Sequence, residues 1–203
     1  MSDGSARLLV IACGALAREI LDVMRLNSLD WVDVECLPAT FHNTPDLIPA
    51  AVEARLDAAE ERYRNVFVGY ADCGTGGLLD RVLEARGVDR LPGAHCYEFY
   101  ATGAGFSDLH SREPGTFYLT DFLARHFDRL VWAGLGLDRW PDLRDTYFGN
   151  YRRLVYLSQV STSDLVERAT AAAHRLGLSF EHRHTGYGDL ASTLVEVTRR
   201  VPA

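Results

Sequence analysis

The sequence lacks the features that would place it in several large functional classes. It has no apolar run near the roughly 20 residues that cross a bilayer, and its start, "MSDGSARLLVIACGALAREI", has no basic segment before the short apolar run. Positive charge is also scarce, because 21 Lys and Arg residues face 28 Asp and Glu residues, for a net charge of −7. This sign opposes phosphate binding. We therefore expect a cytoplasmic protein that binds neither membranes nor nucleic acid.

Cysteine is sparse as well. Four cysteines in 203 residues are too few for a disulfide scaffold, and without a secretion signal we expect them to be reduced. The chain also has no CxxC pair, no HExxH motif, no low-complexity tract and no linker long enough to separate two domains. Because 47% of the residues are hydrophobic, one chain can bury a sizeable core, so we expect a single domain over residues 1–203.

Short apolar runs alternate with helical patterns over the first hundred residues, which is typical of an α/β fold. We expect a mostly parallel, doubly wound sheet and an irregular, aromatic-rich lobe over about 101–151. The predicted strands are 7–12, 32–37, "NVFVGY", a short strand in "VDRLPGAHCYEFY", "RLVYLSQ" and "LSFEHRH". The predicted helices are 14–26, about 45–62 capped by Thr44, one through Leu78 to Leu83, one near Cys96, one capped by Thr120 and Asp121, 163–176 ended by Gly177, and 189–197.

Three of the four cysteines follow predicted strands. Cys13 follows the first strand, Cys73 the third, and Cys96 the next strand and turn, whereas Cys36 lies within a strand. Because the carboxyl ends of parallel strands face one crevice, we expect the first three to converge there. The positive end of a helix dipole predicts a depressed pKa for Cys13 and Cys73. The alternative is that each cysteine is a small apolar core residue.

Converging thiolates indicate a metal site. Cys13, Cys73 and Cys96 with one histidine, His42 or His95, would satisfy four-coordinate zinc. Alternatively, the three thiolates would hold an iron–sulfur cluster with one open iron. His42 could equally be an exposed loop imidazole.

Polar residues beside the cysteines are candidate catalytic groups. His95 adjoins Cys96 and would act as a ligand or as an acid or base, although strand neighbours face opposite sides. Glu98 and Asp72 would supply carboxylates that orient a histidine or take part in proton transfer.

The loop "DCGTGG" has a competing interpretation. Backbone N–H groups of Gly74, Gly76 and Gly77 would bind a phosphate or carboxylate of a cofactor or substrate. The loop lacks the GK[ST] of a P-loop and the full GxGxxG of a dinucleotide fold. The alternative is that these glycines only permit a tight turn.

Segments along nearly the whole chain resemble an uncharacterised prokaryotic family that is classed as a domain of unknown function. They are "IACGALAREI", "LPATFHNTPDLI", "YADCGTGGLLD", "HCYEFY", "GTFYLTDFLARHFD", "GLGLDRWPDLRDTYFGNYRRLVYLSQ" and "GYGDL". Genes of that family often lie near those of corrinoid-dependent methyltransferases, so the resemblance implies a role in methyl-group handling. It assigns no catalytic role to any residue. It does place Cys13, His42, Cys73, His95 and Cys96 within family segments.

Together these observations favour a metal-thiolate enzyme or accessory enzyme of one-carbon metabolism, such as a zinc-dependent methyltransferase with a small-molecule substrate. One alternative is an iron–sulfur protein, and another is a metal-free enzyme with a cysteine nucleophile and a histidine base. A third is a non-enzymatic protein that handles a metal or a corrinoid. A corrinoid protein is the partner that the resemblance implies, and a homodimer is the commonest assembly for such a domain.

Overall fold

The computed structural model describes residues 7–201, and the chain divides into two compact units. The first unit contains residues 7–96 together with 189–201, and the second contains residues 97–188. Each unit has its own sheet, and every pair of neighbouring strands within residues 7–201 is parallel.

The first unit has a four-stranded sheet in the order β2-β1-β3-β4. Its elements are β1 (Leu8–Cys13), α1 (Ala17–Leu26), β2 (Val32–Leu37), α2 (Ile48–Ala59), β3 (Asn65–Gly69), α3 (Leu78–Arg86) and β4 (Asp89–Arg90). Two 3-10 turns, Ala39–Asn43 and Pro45–Leu47, connect β2 to α2.

Strand β1 is central because its sequence is apolar on both faces. All six residues of "LLVIAC" are buried, which is the pattern of a parallel strand covered by helices on both sides. Helix α1 buries Ile20, Val23 and Met24. At the carboxyl end of the sheet, β3 approaches β1 closely, since a Cβ added at Gly69 would lie 2.9 Å from the Cβ of Ala12.

The second unit has a three-stranded sheet in the order β5-β6-β7. Its elements are α4 (Glu98–Ala101), α5 (Gly103–Arg112), β5 (Thr116–Thr120), α6 (Asp121–Phe127), a π-helical turn (Asp128–Trp132), α7 (Leu143–Phe148), β6 (Arg153–Ser158), α8 (Ser163–Leu176) and β7 (Ser179–His184). Helix α9 (Gly188–Arg200) begins at the end of this unit. The core contains Leu119 of β5, Leu154 of β6 and Ala169 of α8.

The α/β class predicted from the sequence is confirmed. Six of the seven strands lie close to their predicted positions, and Gly177 ends α8 with a positive φ of 71°. The strands divide between two sheets where one was expected. Strand β4, at the edge of the first sheet, has only two residues, too few to pair with a further strand over a useful length. The single domain over residues 1–203 stays a prediction.

Two local features differ from the expectation. The segment "TFYLT" forms β5 inside the stretch expected to be irregular. The Thr44 side chain does not cap a helix, because Pro45 begins a 3-10 turn and α2 starts only at Ile48. The Thr120 cap is confirmed, since its hydroxyl accepts a hydrogen bond from the Leu123 N–H.

Within residues 7–201, no helix combines the length and apolar character required to cross a membrane.

Candidate functional site

The candidate site lies at the carboxyl edge of the first sheet, where β1 and β3 end side by side. Ala12 of β1 is in register with Gly69 of β3, so the next residues, Cys13 and Tyr70, are neighbours across the two strands. Paired residues of parallel strands point to the same face of the sheet. Both side chains are buried, with 6% of Cys13 and 1% of Tyr70 exposed.

Two loops bring Cys73 and Cys96 together. The N–H of Asp72 donates to the Gly93 carbonyl at 3.1 Å, and the N–H of Cys73 donates to the Ala94 carbonyl at 2.8 Å. The Sγ atoms of Cys73 and Cys96 consequently lie 2.8 Å apart. Cys73 has a φ of 51°, a left-handed conformation that costs a non-glycine residue about 1–3 kcal/mol. The predicted convergence of these two cysteines is therefore observed.

The pKa values of the two thiols shift in opposite directions. The hydrogen bond with Cys96 is the largest influence on Cys73 and lowers its pKa. The same hydrogen bond, followed by burial, raises the pKa of Cys96 well above its ordinary value. Cys73 is therefore the residue of the pair that becomes a thiolate, and Cys96 is the donor that stabilises it. Both side chains are partly accessible to solvent.

Cys13 behaves differently from the sequence-based expectation. Burial raises the pKa of its thiol to about 11, although the Ala15 N–H donates to Sγ at 3.5 Å. The prediction of a depressed pKa for Cys13 is wrong, because removal from water outweighs this hydrogen bond. The thiol still interacts electrostatically with Cys73 and Cys96, so it faces the same site.

The sulfurs of Cys13, Cys73 and Cys96 are not arranged as a set of three metal ligands. Across residues 7–201, no group of three or more His, Cys, Asp or Glu side chains is arranged to hold a metal ion. Cys73 and Cys96 form the close pair, and Cys13 is the buried third thiol. Cys36 lies on β2, paired with Ala12, and is exposed rather than buried.

The glycine loop after β3 binds its own aspartate. The Asp72 carboxylate accepts hydrogen bonds from the N–H groups of Gly74 (3.2 Å), Gly76 (3.2 Å) and Gly77 (2.8 Å) and from the Thr75 hydroxyl (2.7 Å). Burial alone would raise the pKa of Asp72, but these hydrogen bonds together lower it. The N–H groups expected to bind an external anion are thus occupied by a carboxylate of the chain, and Asp72 organises the loop that carries Cys73.

Positive φ angles explain the three glycines. Gly74, Gly76 and Gly77 have φ values of 85°, 62° and 80°, which bring successive N–H groups onto one carboxylate. Gly74 also lies against Pro45, because an added Cβ would stand 3.4 Å from the Pro45 Cγ. The turn after β2 therefore borders the Cys73 loop.

The two candidate histidines lie near each other at the surface. His42, in the 3-10 turn after β2, and His95, next to Cys96, are both exposed. Although the His42 side chain is exposed at the surface, desolvation by the atoms packed around it and then the charge of His95 lower its pKa, which favours a neutral imidazole. A neutral imidazole is the form that binds metal. Their roles as ligand or base stay predictions.

Glu98 begins α4 and belongs to the second compact unit, whereas the cysteines belong to the first. Its predicted role in orienting a histidine stays a prediction.

Tyr70 is a residue of the site that the sequence analysis missed. Its hydroxyl is buried and makes no hydrogen bond of normal geometry within residues 7–201, but it lies close enough to the Cys13 sulfur for a weak interaction that contributes to the raised pKa of Tyr70. Burial, then the neighbouring Cys13, Cys96 and Cys73, raise the pKa of Tyr70, so it stays a protonated donor facing the sulfurs. The strand register was the signal that could have identified it.

A second polar cluster lies at the carboxyl edge of the second sheet. The Ser158 hydroxyl, at the end of β6, is within 2.9 Å of His182 Nε2 and 3.2 Å of His184 Nδ1. The alternation of the two histidines along β7 places both on one face. Because Ser158 itself is fully buried, the serine positions the two imidazoles.

Beside it, a buried carboxylate holds the turn after β6. Asp121 is fully buried and accepts hydrogen bonds from the Tyr156 hydroxyl (2.6 Å) and from the N–H groups of Gln159 and Val160 (3.0 Å each). The Gln159 side chain accepts a bond from the Asp121 N–H at 2.9 Å. These satisfied groups indicate a structural role for Asp121.

Comparison with known proteins identifies the family. Residues 36–194 match the family described as "Protein of unknown function (DUF1638)". The chain belongs to this family. The match includes His42, Cys73, His95 and Cys96, begins at Cys36, and leaves Cys13 outside. No curated protein and no solved structure matches the chain.

Proposed function

We propose that this protein is a metal-thiolate enzyme or accessory enzyme in which Cys73, Cys96 and Cys13 bind zinc. The observation that carries the proposal is the close approach of the Cys73 and Cys96 sulfurs, 2.8 Å apart, beside the buried Cys13 thiol. Cysteine thiolates and histidine nitrogens are common ligands of four-coordinate zinc. We propose His42 or His95 as a fourth ligand or as an acid–base partner, and in the second case the fourth position on the zinc is open to a substrate.

The sulfur spacing sets a requirement for metal binding. Two thiolates bound to one tetrahedral zinc at ~2.3 Å stand ~3.8 Å apart, so Cys73 and Cys96 would separate by ~1 Å. Both residues lie on loops rather than in strands or helices, which permits such a movement. Cys13 would join from the end of β1 to make the third bond.

The chemistry we propose is thiol activation for methyl transfer. Zinc held by the three cysteines would lower the pKa of a bound substrate thiol, and His42 or His95 would take up the proton that the thiol releases. The sulfur would then form a bond to the methyl carbon of a donor, and the leaving group would keep the electron pair of the broken bond. The donor would be a small molecule or a methyl-corrinoid protein, as the family resemblance suggests.

A second candidate is supported by the lowered pKa of Cys73. Because Cys96 stabilises the thiolate of Cys73, Cys73 would act as a metal-free nucleophile, with a nearby histidine as base. This candidate predicts rapid alkylation of Cys73 by iodoacetamide in the metal-free protein.

Metal analysis of anaerobically purified protein, together with its visible spectrum, separates the candidates. Stoichiometric zinc in a colourless protein supports the zinc site, and a brown protein supports an iron–sulfur cluster. Metal-free protein in which Cys73 is alkylated rapidly supports the cysteine nucleophile. Metal-free protein in which Cys73 is alkylated slowly supports the non-enzymatic partner protein.

Serine variants locate the ligands. Cys13→Ser, Cys73→Ser and Cys96→Ser are each expected to lose the metal. Cys36→Ser is the matched control, because Cys36 is exposed on β2, and it should retain the metal. Retention of full zinc by Cys73→Ser would refute the proposed site.

A further inference from the structure

The sulfurs of Cys73 and Cys96 are close enough to form a disulfide with little movement. Their Sγ atoms lie 2.8 Å apart, and a disulfide bond is about 2.05 Å long, so the sulfurs need to approach by only ~0.8 Å. Two backbone hydrogen bonds, from residues 72–73 to the carbonyls of Gly93 and Ala94, hold the two loops side by side. The sulfur pair is therefore a product of the fold of the first unit, and it needs no metal to form.

The two thiols differ in the way that an attacking thiol and a resolving thiol require. The hydrogen bond with Cys96 is the largest influence on Cys73 and lowers its pKa, and backbone hydrogen bonds add to this effect. The thiolate is the form that attacks a disulfide. The same hydrogen bond, followed by burial, raises the pKa of Cys96, so Cys96 keeps its proton until Cys73 has reacted. Burial raises the pKa of Cys13 to about 11, so Cys13 also stays a neutral thiol near pH 7. Cys73 is therefore the attacking group among these three.

The pair is accessible to a small reactant. Both Cys73 and Cys96 are partly exposed, whereas Cys13 is buried. The residues beside the pair, Gly74 and 92–95, are exposed. The net charge of −7 and the Asp72 carboxylate beside Cys73 disfavour an anionic reactant. A small neutral disulfide is therefore the kind of reactant that fits the site.

We propose that Cys73 and Cys96 form a two-cysteine centre that undergoes thiol–disulfide exchange with low-molecular-weight disulfides. In the first step, the Cys73 thiolate forms a bond to one sulfur of a disulfide R–S–S–R, whose S–S bond breaks and releases RS⁻. In the second step, the Cys96 sulfur forms a bond to the Cys73 sulfur, the second RS group leaves, and the Cys96 proton passes to it to give RSH. The two cysteines are thereby oxidised to a disulfide, and the small disulfide is reduced to two thiols. The reaction goes beyond the proposed function and requires no zinc.

The test uses the full-length protein, purified anaerobically, freed of metal by a chelator and fully reduced, with 2-hydroxyethyl disulfide as the neutral probe. After the reaction is quenched in acid and the remaining thiols are blocked, tryptic peptides are analysed by mass spectrometry. Because the chain has no lysine, trypsin cleaves after arginine and places the four cysteines on separate peptides, 8–18, 26–55, 65–81 and 91–112. We expect peptides 65–81 and 91–112 to be joined by a disulfide, with two equivalents of 2-mercaptoethanol released per chain.

Serine variants assign the two roles. Cys96→Ser should stop after the first step, with one equivalent of 2-mercaptoethanol released and one retained as an adduct on Cys73. Cys73→Ser should release 2-mercaptoethanol at least about 10-fold more slowly, because an ordinary thiol is only a few per cent thiolate at pH 7. Cys36→Ser is the matched control, because Cys36 is exposed on β2, and it should form the disulfide as the wild type does.

Three results would overturn the inference. They are adducts that stay separate on Cys73 and Cys96 with no bond between them, a disulfide to Cys13 in place of this pair, and a Cys73 that does not react. All three are measured on metal-free protein, so they are distinguishable from failure of the zinc site. Zinc binding by a protein that forms no such disulfide would support the proposed function alone. The disulfide in a protein that binds no zinc would support this inference alone.

Discussion

Removing the Asp72 carboxylate is expected to disorganise the loop that carries Cys73. Of its four hydrogen bonds, the two shortest come from the Gly77 N–H at 2.8 Å and the hydroxyl of buried Thr75 at 2.7 Å. The N–H groups of Gly74 and Gly76 are on exposed residues and can bind water instead. At about 1.5–2 kcal/mol for each of the two short bonds to a charged acceptor, Asp72→Ala should lower the free energy of unfolding by about 3–4 kcal/mol.

The assay is thermal and urea unfolding of the metal-free protein. A loss of about 3 kcal/mol corresponds to a melting temperature lower by about 6–12 °C for a chain of this size. Asp72→Asn keeps one acceptor oxygen, so its free energy of unfolding should lie about halfway between those of the wild type and Asp72→Ala. Asp46→Ala, at an exposed aspartate of the same unit, is the control and should change stability by less than about 0.5 kcal/mol.

The pH dependence supplies an independent check on Asp72. Its pKa in the folded protein is below the ordinary value of 3.8, so the stabilisation is present above that value and is lost as the pH falls through the lower, folded pKa. Asp72→Asn should remove this acid-dependent part. If Asp72→Ala melts within about 1 °C of the wild type, the carboxylate does not organise the loop, and the structural interpretation of the glycines is refuted.

Two further predictions concern buried groups. Because the pKa of Cys13 rises from 9.0 to about 11 on folding, this thiol should contribute a loss of about 3 kcal/mol of stability to the metal-free protein between these pH values. Cys13→Ala should not show this loss when urea unfolding is measured across these pH values. The sequence contains no lysine, so no lysine side chain titrates in the same range. A pH profile of Cys13→Ala identical to that of the wild type would contradict the raised pKa of Cys13. Tyr156→Phe removes the 2.6 Å hydrogen bond to buried Asp121 and should lower the free energy of unfolding by about 2–3 kcal/mol, measured by urea unfolding. An unchanged urea midpoint would show that the carboxylate needs no such donor.

The order of strands and helices explains why part of the site could be predicted. Alternating apolar runs and helical patterns indicated that β1 and β3 end at one edge, which placed Cys13 and Cys73 on the same side. The Pro-Gly turn before Cys96 was sufficient to bring that residue back to the same edge, where its sulfur meets Cys73. These inferences depend on the order of strands and helices along the chain, which the sequence pattern predicts well.

Other features of the site depend on which side chain occupies a given N–H group and on how deeply a sulfur is buried. A sequence pattern does not contain that information. Asp72 occupies the N–H groups of the glycine loop because its side chain is already tethered a few residues away. The pKa of Cys13 is set by burial, which depends on how completely the helices cover β1. Strand β5 was missed because "TFYLT" has only five residues and is followed at once by α6, so the short apolar run was assigned to the irregular stretch.

The two main-chain hydrogen bonds that join the Asp72–Cys73 segment to Gly93 and Ala94 link the spacing of the sulfurs to the backbone. A process that changes the spacing of the Cys73 and Cys96 sulfurs by moving the backbone would strain or release these bonds. The amide protons of Asp72 and Cys73 would therefore exchange with deuterium at rates that change with the state of the thiols. Backbone exchange at two positions would thus report chemistry that occurs on the side chains.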